Sequence, residues 1–166
     1  MMKKIGLITL LIFLSLSKIF SGDVPDTYFV VSPGVKFAYV FGVEDSYTYG
    51  FELAISYLDS EKWVNYGGVL AIDFNKKYQK VHLGFEVLFP YLSVEFGPTF
   101  LIDKANNESH LGYSISPFLT GIVVVPVFTY SNFKKYKSLY ELGILLKYPF
   151  YEEDNNGTWN HIYNEW

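Results

Sequence analysis

The sequence of 166 residues lacks cysteine, has few charged residues and has no apolar run long enough for a membrane helix after its first segment. Without cysteine the chain forms no disulfide and carries no cysteine-linked lipid, so a disulfide scaffold and a lipoprotein are excluded. Charged residues make up 18 % of the chain, below the roughly 25 % of an ordinary soluble domain. The formal net charge of −4 gives no reason to expect nucleic-acid binding, which needs a basic surface.

The N-terminal segment has the features of an export signal. Lys3 and Lys4 supply positive charge, Ile5–Leu16 is apolar, and a cleavage site precedes Gly22. A membrane anchor is the alternative, but the apolar stretch is shorter than the roughly 20 residues that a spanning helix needs. We therefore expect residues 1–22 to be a cleaved signal peptide and the mature chain to be a single exported domain.

The rest of the chain is rich in aromatic residues that favour strands. Aromatics reach 20 %, with 15 Tyr and 15 Phe, and such side chains pack well on a pleated surface. The longest later apolar stretch, Gly121–Phe128, contains Pro126 and several valines, so it also reads as a strand. If the mature chain lies in a membrane, it must therefore form a closed barrel, because lipid offers no partner for unpaired backbone groups.

Alternation of apolar and small or polar residues runs from Thr27 to Phe150 and indicates strands with two different faces. The register of the seventh strand stays open because both of its faces are apolar. The eight predicted strands are Ser32–Gly42, Tyr47–Leu58, Trp63–Phe74, Tyr78–Phe89, Tyr91–Ile102, His110–Leu119, Ile122–Tyr130 and Leu139–Phe150. An even number of strands of about 9–11 residues is typical of membrane barrels. We predict an all-β fold over residues 23–150: a closed, antiparallel, up-and-down transmembrane β-barrel of about eight strands.

The composition of the two faces predicts which one points inward. One face is bulky and aromatic, and the other is mostly Gly, Ala and Ser with isolated charges, which suits a narrow lumen. Turned toward water, the aromatic face would be an exposed patch far larger than soluble proteins carry. The alternative is a soluble, periplasmic, lipocalin-like barrel that holds an apolar ligand against an inward aromatic face. Aromatics at strand ends predict interfacial girdles; they are Tyr47, Tyr57, Trp63, Phe74, Tyr78, Phe89, Tyr91, Tyr148 and Phe150.

The isolated charges of the small-residue face are the only candidate site. They are Lys36, Glu52, Asp73, Lys80, His82, Glu86, Glu95, Glu141 and Lys147. Buried charges must find partners, so we expect a structural network of ion pairs that fills the lumen. A proton or ion path is the functional alternative, although an eight-stranded barrel leaves little room for a channel.

The last predicted strand carries a family resemblance. It alternates Tyr140, Leu142, Ile144, Leu146, Tyr148 and Phe150 on one face. With the signal and the eight amphipathic strands, this resembles small bacterial outer-membrane β-barrel proteins. The resemblance implies a location in the outer membrane, contact with its lipid, both termini in the periplasm, and recognition of Tyr140–Phe150 by the barrel-assembly machinery. It implies a non-enzymatic structural or surface-interaction protein, without naming a task.

Residues 151–166 depart from that pattern by continuing past the terminal aromatic. We expect them to form a disordered tail, in which Trp159, Tyr163 and Trp166 are available to a periplasmic partner or the membrane interface. Its acidic run Glu152–Asp154 lacks the spacing of a metal site.

The remaining alternative is a lipid-modifying enzyme of the outer membrane, since some eight-stranded barrels there resemble such enzymes. Such an enzyme needs a His with a Ser and an acidic partner. His110 lies near Glu108, Ser109 and Ser114, but no His-x-Ser motif occurs, and His161 lies in the tail. We therefore predict no catalytic residue, metal or cofactor.

Overall fold

A computed structural model describes residues 27–42, 46–59, 61–119, 124–153 and 158–161. In that part of the chain every element is a strand or a turn. The strands are β1 (Thr27–Phe41), β2 (Ser46–Asp59), β3 (Asn65–Asn75), β4 (Tyr78–Leu88), β5 (Leu92–Asp103), β6 (Glu108–Leu119), β7 (Val124–Phe133), β8 (Leu139–Lys147), β9 (Phe150–Glu153) and β10 (Thr158–His161). The described residues contain no helix long and apolar enough to cross a membrane.

Strands β1 to β8 form a closed antiparallel barrel. Each strand pairs with the next one along the chain, and β1 also pairs with β8 from Gly34↔Lys147 to Phe41↔Tyr140. Closure gives every barrel strand two neighbours, so none of the eight presents a full unpaired edge. The prediction of an eight-stranded, up-and-down barrel is confirmed.

The outward face of this barrel is the apolar one. Along β2 the burial alternates residue by residue: Phe51, Leu53 and Ile55 are exposed, whereas Glu52 and Ala54 are buried. All eight barrel strands carry exposed large apolar side chains, and most of the small residues and the nine predicted lumen charges point inward. The open register of the seventh strand is settled too, because the odd-numbered residues Val125 to Phe133 face the lumen. The inward aromatic face that a lipocalin-like barrel requires is therefore absent from the described strands.

Glycine allows close approach of neighbouring strands at several lumen positions, among them Gly97 and Gly143. A Cβ atom on Gly97 would overlap the carbonyl oxygen of Leu83, and one on Gly143 would overlap that of Phe37. At these positions the backbones meet without room for any side chain, which is a usual reason for glycine inside a strand. Gly68 differs, because it faces outward and nothing lies within 4 Å of its added Cβ.

The first strand is longer than predicted. It begins at Thr27 rather than Ser32, and its ladder with β2 continues through Pro33, which pairs with Leu53. A proline normally interrupts a central strand because it lacks an N–H donor. Here Pro33 still accepts a hydrogen bond of 2.9 Å from the Tyr148 N–H through its carbonyl oxygen, so the strand passes the proline.

The last predicted strand is divided, and the prediction of a disordered tail is wrong for part of it. β8 ends at Lys147, and β9 resumes at Phe150 after Pro149, in the same register along β1 (Gly34↔Lys147, then Val31↔Phe150). The longer β1 extends beyond β8 and leaves backbone groups that β9 pairs, and β10 then covers β9. Phe150–Glu153 and Thr158–His161 thus form a hairpin at the rim that holds the start of β1.

The predicted position of the Tyr78 side chain is also wrong. Tyr78 was expected in an interfacial girdle, but its side chain is only 1 % exposed and lies in the lumen. The parity of β4 explains this result, because Tyr78 shares its face with Lys80 and His82. The predicted signal peptide, Asp154, Tyr163 and Trp166 lie outside the described residues.

Candidate functional site in the barrel lumen

All nine charged residues singled out in the sequence lie on the inner face of the barrel. Eight are buried, and the Lys147 side chain is 12 % exposed. They come from six strands, β1 to β5 and β8, and ion pairs bring them together across the lumen, some between residues far apart in sequence. The lumen holds five carboxylates against three lysines and one histidine, so acidic groups are in excess.

Four of these residues form a square of alternating charge, which we call the upper network: Lys36, Asp73, Lys80 and Glu141. The Lys36 ammonium lies 2.5 Å from Asp73 Oδ2 and 3.1 Å from Glu141 Oε2. Lys80 lies 3.0 Å from Asp73 Oδ2 and contacts the other oxygen of Glu141. Each charge thus touches two of opposite sign, an arrangement that offsets the cost of removing the four from water.

A second group, the lower network, consists of Lys147, Glu52 and Glu86. It lies nearer the rim that holds the chain termini, which we call the terminal rim. Lys147 lies 2.7 Å from Glu52 Oε1 and 3.7 Å from Glu86 Oε2, and it stands 4.8 Å from the centre of the Phe118 ring. Glu86 accepts a hydrogen bond from the Ser56 hydroxyl at its other oxygen. One ammonium therefore serves two carboxylates, and a hydroxyl and an aromatic face supply the remaining contacts.

His82 links the charges to a chain of hydroxyls. Its Nε2 atom lies 2.7 Å from Glu95 Oε1, and its Nδ1 atom lies 2.7 Å from the Thr99 hydroxyl. The hydroxyls of Thr99, Ser114 and Ser131 continue this chain at 2.7 and 2.6 Å. Of these hydroxyls, the sequence pattern pointed only to Ser114, and that as a neighbour of His110. The place of all three on the small-residue face was a usable signal for the chain.

Apolar side chains cover the networks toward both rims. On the side of the turns 76–77, 104–107 and 134–138, a buried cluster comprises Val40, Tyr78, Leu101, Phe133 and Leu139. Toward the other rim, Phe118, Val125, Val127 and Leu145 form a second cluster. Between them lies a cavity of about 20 Å³, lined in part by Glu52, Asp73 and His82, with room for about one or two water molecules. The described lumen is therefore packed between two apolar layers.

The residues weighed for catalysis are not assembled into a triad in the described lumen. His110 contacts the tilted ring of Tyr136 with ring centres 4.9 Å apart, and its Nε2 atom is 3.8 Å from Glu108. The hydroxyl of Ser114 is bonded instead to Thr99 and Ser131. Among the described residues no three His, Asp or Glu side chains are placed to hold a metal ion. His161 lies in β10, whose side chains are not described.

The turn between β2 and β3, on the terminal rim, carries its own ion pair. The Lys62 ammonium lies 2.6 Å from Asp59 Oδ2. The Asp59 N–H donates to the Asn65 side chain at 2.8 Å, which closes the turn. Trp63, in the same turn, is 77 % exposed. An ion-paired lysine and an exposed indole therefore lie on this rim.

Aromatic rings contact one another across the outer face. Tyr39 meets Tyr47 at 5.2 Å and Tyr49 stacks on Phe74 at 5.5 Å, both near the rim opposite the chain termini. Toward the terminal rim, Phe29 meets Tyr57 at 5.2 Å. Aliphatic side chains such as Leu53 lie between these two levels. Two aromatic bands separated by an aliphatic zone match the surface of a barrel that faces lipid.

Comparison with known proteins gives similarity at the level of shape. No model of a known protein family matches the chain, and no curated protein sequence does. The crystal structure of Neisserial surface protein A is 10 % identical, with a TM-score of 0.48, over 72 % of this chain and 95 % of that one. The structure of Ail, the attachment invasion locus protein of Yersinia pestis, is 15 % identical, with a TM-score of 0.42, over 74 % and 99 %. The strand pairing and exposed faces described above establish the barrel independently of these similarities.

Proposed function

We propose that this protein is a non-enzymatic barrel of the bacterial outer membrane, with a structural or surface-interaction role. The outward apolar face is the single observation that supports this proposal most strongly. It surrounds the barrel on all eight strands, whereas soluble monomers rarely expose apolar patches above a few hundred Å². Hydrocarbon is the solvent that such a surface fits.

The lumen supports a structural role for the nine charges. Each of the three lysines contacts two carboxylates, and both ends of the networks are covered by apolar clusters. Such an interior stabilises one arrangement of the strands and leaves little room for a substrate. The hydrogen-bonded hydroxyls and the contact of His110 with Tyr136 also argue for a packed interior rather than a catalytic one.

The orientation in the membrane follows from the position of the chain termini. An outer-membrane barrel keeps its short turns and termini on the periplasmic side. The outward residues of β8, from Tyr140 to Leu146, would then face lipid and provide the recognition strand for the barrel-assembly machinery. We expect Tyr140–Phe150 to serve in this way although Pro149 divides it, since the register along β1 is unbroken.

Cell fractionation and gel mobility test this function together. The mature chain should be found in the outer-membrane fraction of expressing cells. A folded barrel should also migrate differently in a detergent gel before and after boiling, because heat is needed to open the closed ladder. Release as a soluble periplasmic protein would refute the proposal.

A further inference from the structure

The lysines of the described chain are distributed very unevenly along the barrel axis. Three lie in the lumen, and Lys62 on the terminal rim is paired with Asp59. The other six lie in three turns of the opposite rim, which we call the basic rim: Lys76, Lys77, Lys104, Lys134, Lys135 and Lys137. The upper and lower networks use none of these six side chains, and the Lys104 ammonium donates to the Asn75 carbonyl oxygen at the neighbouring turn at 2.7 Å.

Among the described residues of the basic rim, few carboxylates balance this charge. Asp103 is buried and bound to its own turn, since it accepts from the Ala105 N–H at 2.8 Å and from the Asn106 side chain at 3.0 Å. Glu108 is the exposed carboxylate among the described residues of the basic rim, and it lies near His110. The described turns of the basic rim therefore carry more positive than negative charge.

Backbone hydrogen bonds hold the turns of the basic rim in place. The Lys104 N–H donates to the Lys77 carbonyl oxygen at 2.8 Å, which joins two turns. The Lys134 N–H donates to Leu111 of the neighbouring strand at 3.1 Å, and Lys135 has a left-handed backbone with φ of 65°. Because these turns are already ordered, a ligand bound there immobilises little more than lysine side chains.

The height of the rim indicates which anions it meets. The 11 residues of β3 or β4 rise by about 3.4 Å each along the strand, so at a tilt of about 40° they span about 29 Å. The apolar band of such barrels is about 25 Å tall, so the turns after β3 lie only a few Å beyond it. That is the level of the lipid headgroups rather than the open medium.

We propose that the basic rim binds the phosphate groups of anionic lipid headgroups in the leaflet opposite the periplasm. The six ammonium groups, on turns fixed at headgroup height, supply the positive charge, and the aromatic band beneath them contacts the same lipids. This inference rests on the membrane location proposed above. It adds a lipid class to that location and makes the basic rim a lipid-binding surface.

Binding of phosphorylated lipid to the folded barrel tests the proposal. Native mass spectrometry of the barrel in maltoside micelles measures the affinity for lipid A with two phosphates and with one. The bisphosphorylated form should bind more tightly. Neutralising three exposed rim lysines in K76Q/K134Q/K135Q should weaken its binding about a hundredfold, at about fivefold for each lysine. The matched control K62Q removes the paired lysine of the opposite rim and should leave binding unchanged.

The outcomes separate this proposal from the barrel itself. Every variant must first show the boiling-dependent mobility shift, which establishes that it is folded. A folded triple variant that binds bisphosphorylated lipid A as tightly as the parent would overturn the inference and leave the membrane barrel standing. Salt-dependent binding of a soluble heparin fragment, together with equal affinity for the two lipids, would also overturn the inference. That result would assign the rim to a soluble polyanion.

Discussion

Removing one member of the upper network should be far more damaging than removing a matched pair. Glu141 contacts both Lys36 and Lys80, and its side chain is 1 % exposed. Glu141→Gln leaves two buried ammonium groups with Asp73 as their remaining carboxylate. Breaking a buried ion pair in this way costs about 3–5 kcal/mol, because an uncompensated charge stays out of water. The double variant E141Q/K36M removes one charge of each sign and should recover most of that loss.

Urea unfolding of the barrel in lipid vesicles, followed by gel mobility without boiling, measures the effect. With a slope of about 2–3 kcal/mol per molar urea, the single variant should unfold about 1–2.5 M earlier than the parent. The double variant should lie much closer to the parent, which gives a large coupling energy in the double-mutant cycle. Equal midpoints for parent and E141Q, or simple additivity of the two substitutions, would refute a network held by compensated charge.

Three further predictions concern the backbone, the outer face and the C-terminal hairpin. Gly143→Ala should destabilise the barrel by about 1–3 kcal/mol because its Cβ meets a backbone oxygen, whereas Gly68→Ala should be tolerated; urea midpoints compare the two. Leu53→Arg should cost about 2–4 kcal/mol in vesicles and Tyr47→Arg on the same strand about 0–1 kcal/mol, because only the first lies near the middle of the bilayer; equal costs would contradict a spanning β2. A chain ending at Pro149 should still fold and shift on boiling, since β1 and β8 close the barrel without the hairpin, and loss of the shift would show that β9 is required.

Much of the fold could be predicted from the sequence because the two faces of each strand differ so strongly. The alternation in Tyr47–Leu58 specified both the strand and its orientation, and lumen charges such as Glu52 fell on the inner face. Where residue type alone was ambiguous, the position of a residue along the alternating strand decided whether its side chain faces the lumen or the outside. Tyr78 resembles a girdle residue by type, but its position in β4 places it inside.

Other features depend on pairing between distant segments and have no local signal. Pro33 and Pro149 both suggest strand ends. However, the pairing of β1 with β2 continues through Pro33, and β9 keeps the register of β8 beyond Pro149. The partners within the networks were equally hidden. Lys36 and Glu141 are separated by most of the barrel sequence and become neighbours because β1 closes on β8.

Depth-resolved labelling along β2 tests the membrane-spanning barrel most directly, and the natural absence of cysteine makes every introduced thiol unique. Spin labels at the outward positions Tyr47, Leu53 and Tyr57, each changed singly to Cys, report collision with oxygen and with a water-soluble nickel complex in lipid vesicles. A spanning barrel predicts that the ratio of oxygen to nickel collisions is highest at Leu53 and falls toward both Tyr47 and Tyr57. Ready access of the nickel complex to all three positions would contradict the account, because the apolar face would then lie in water.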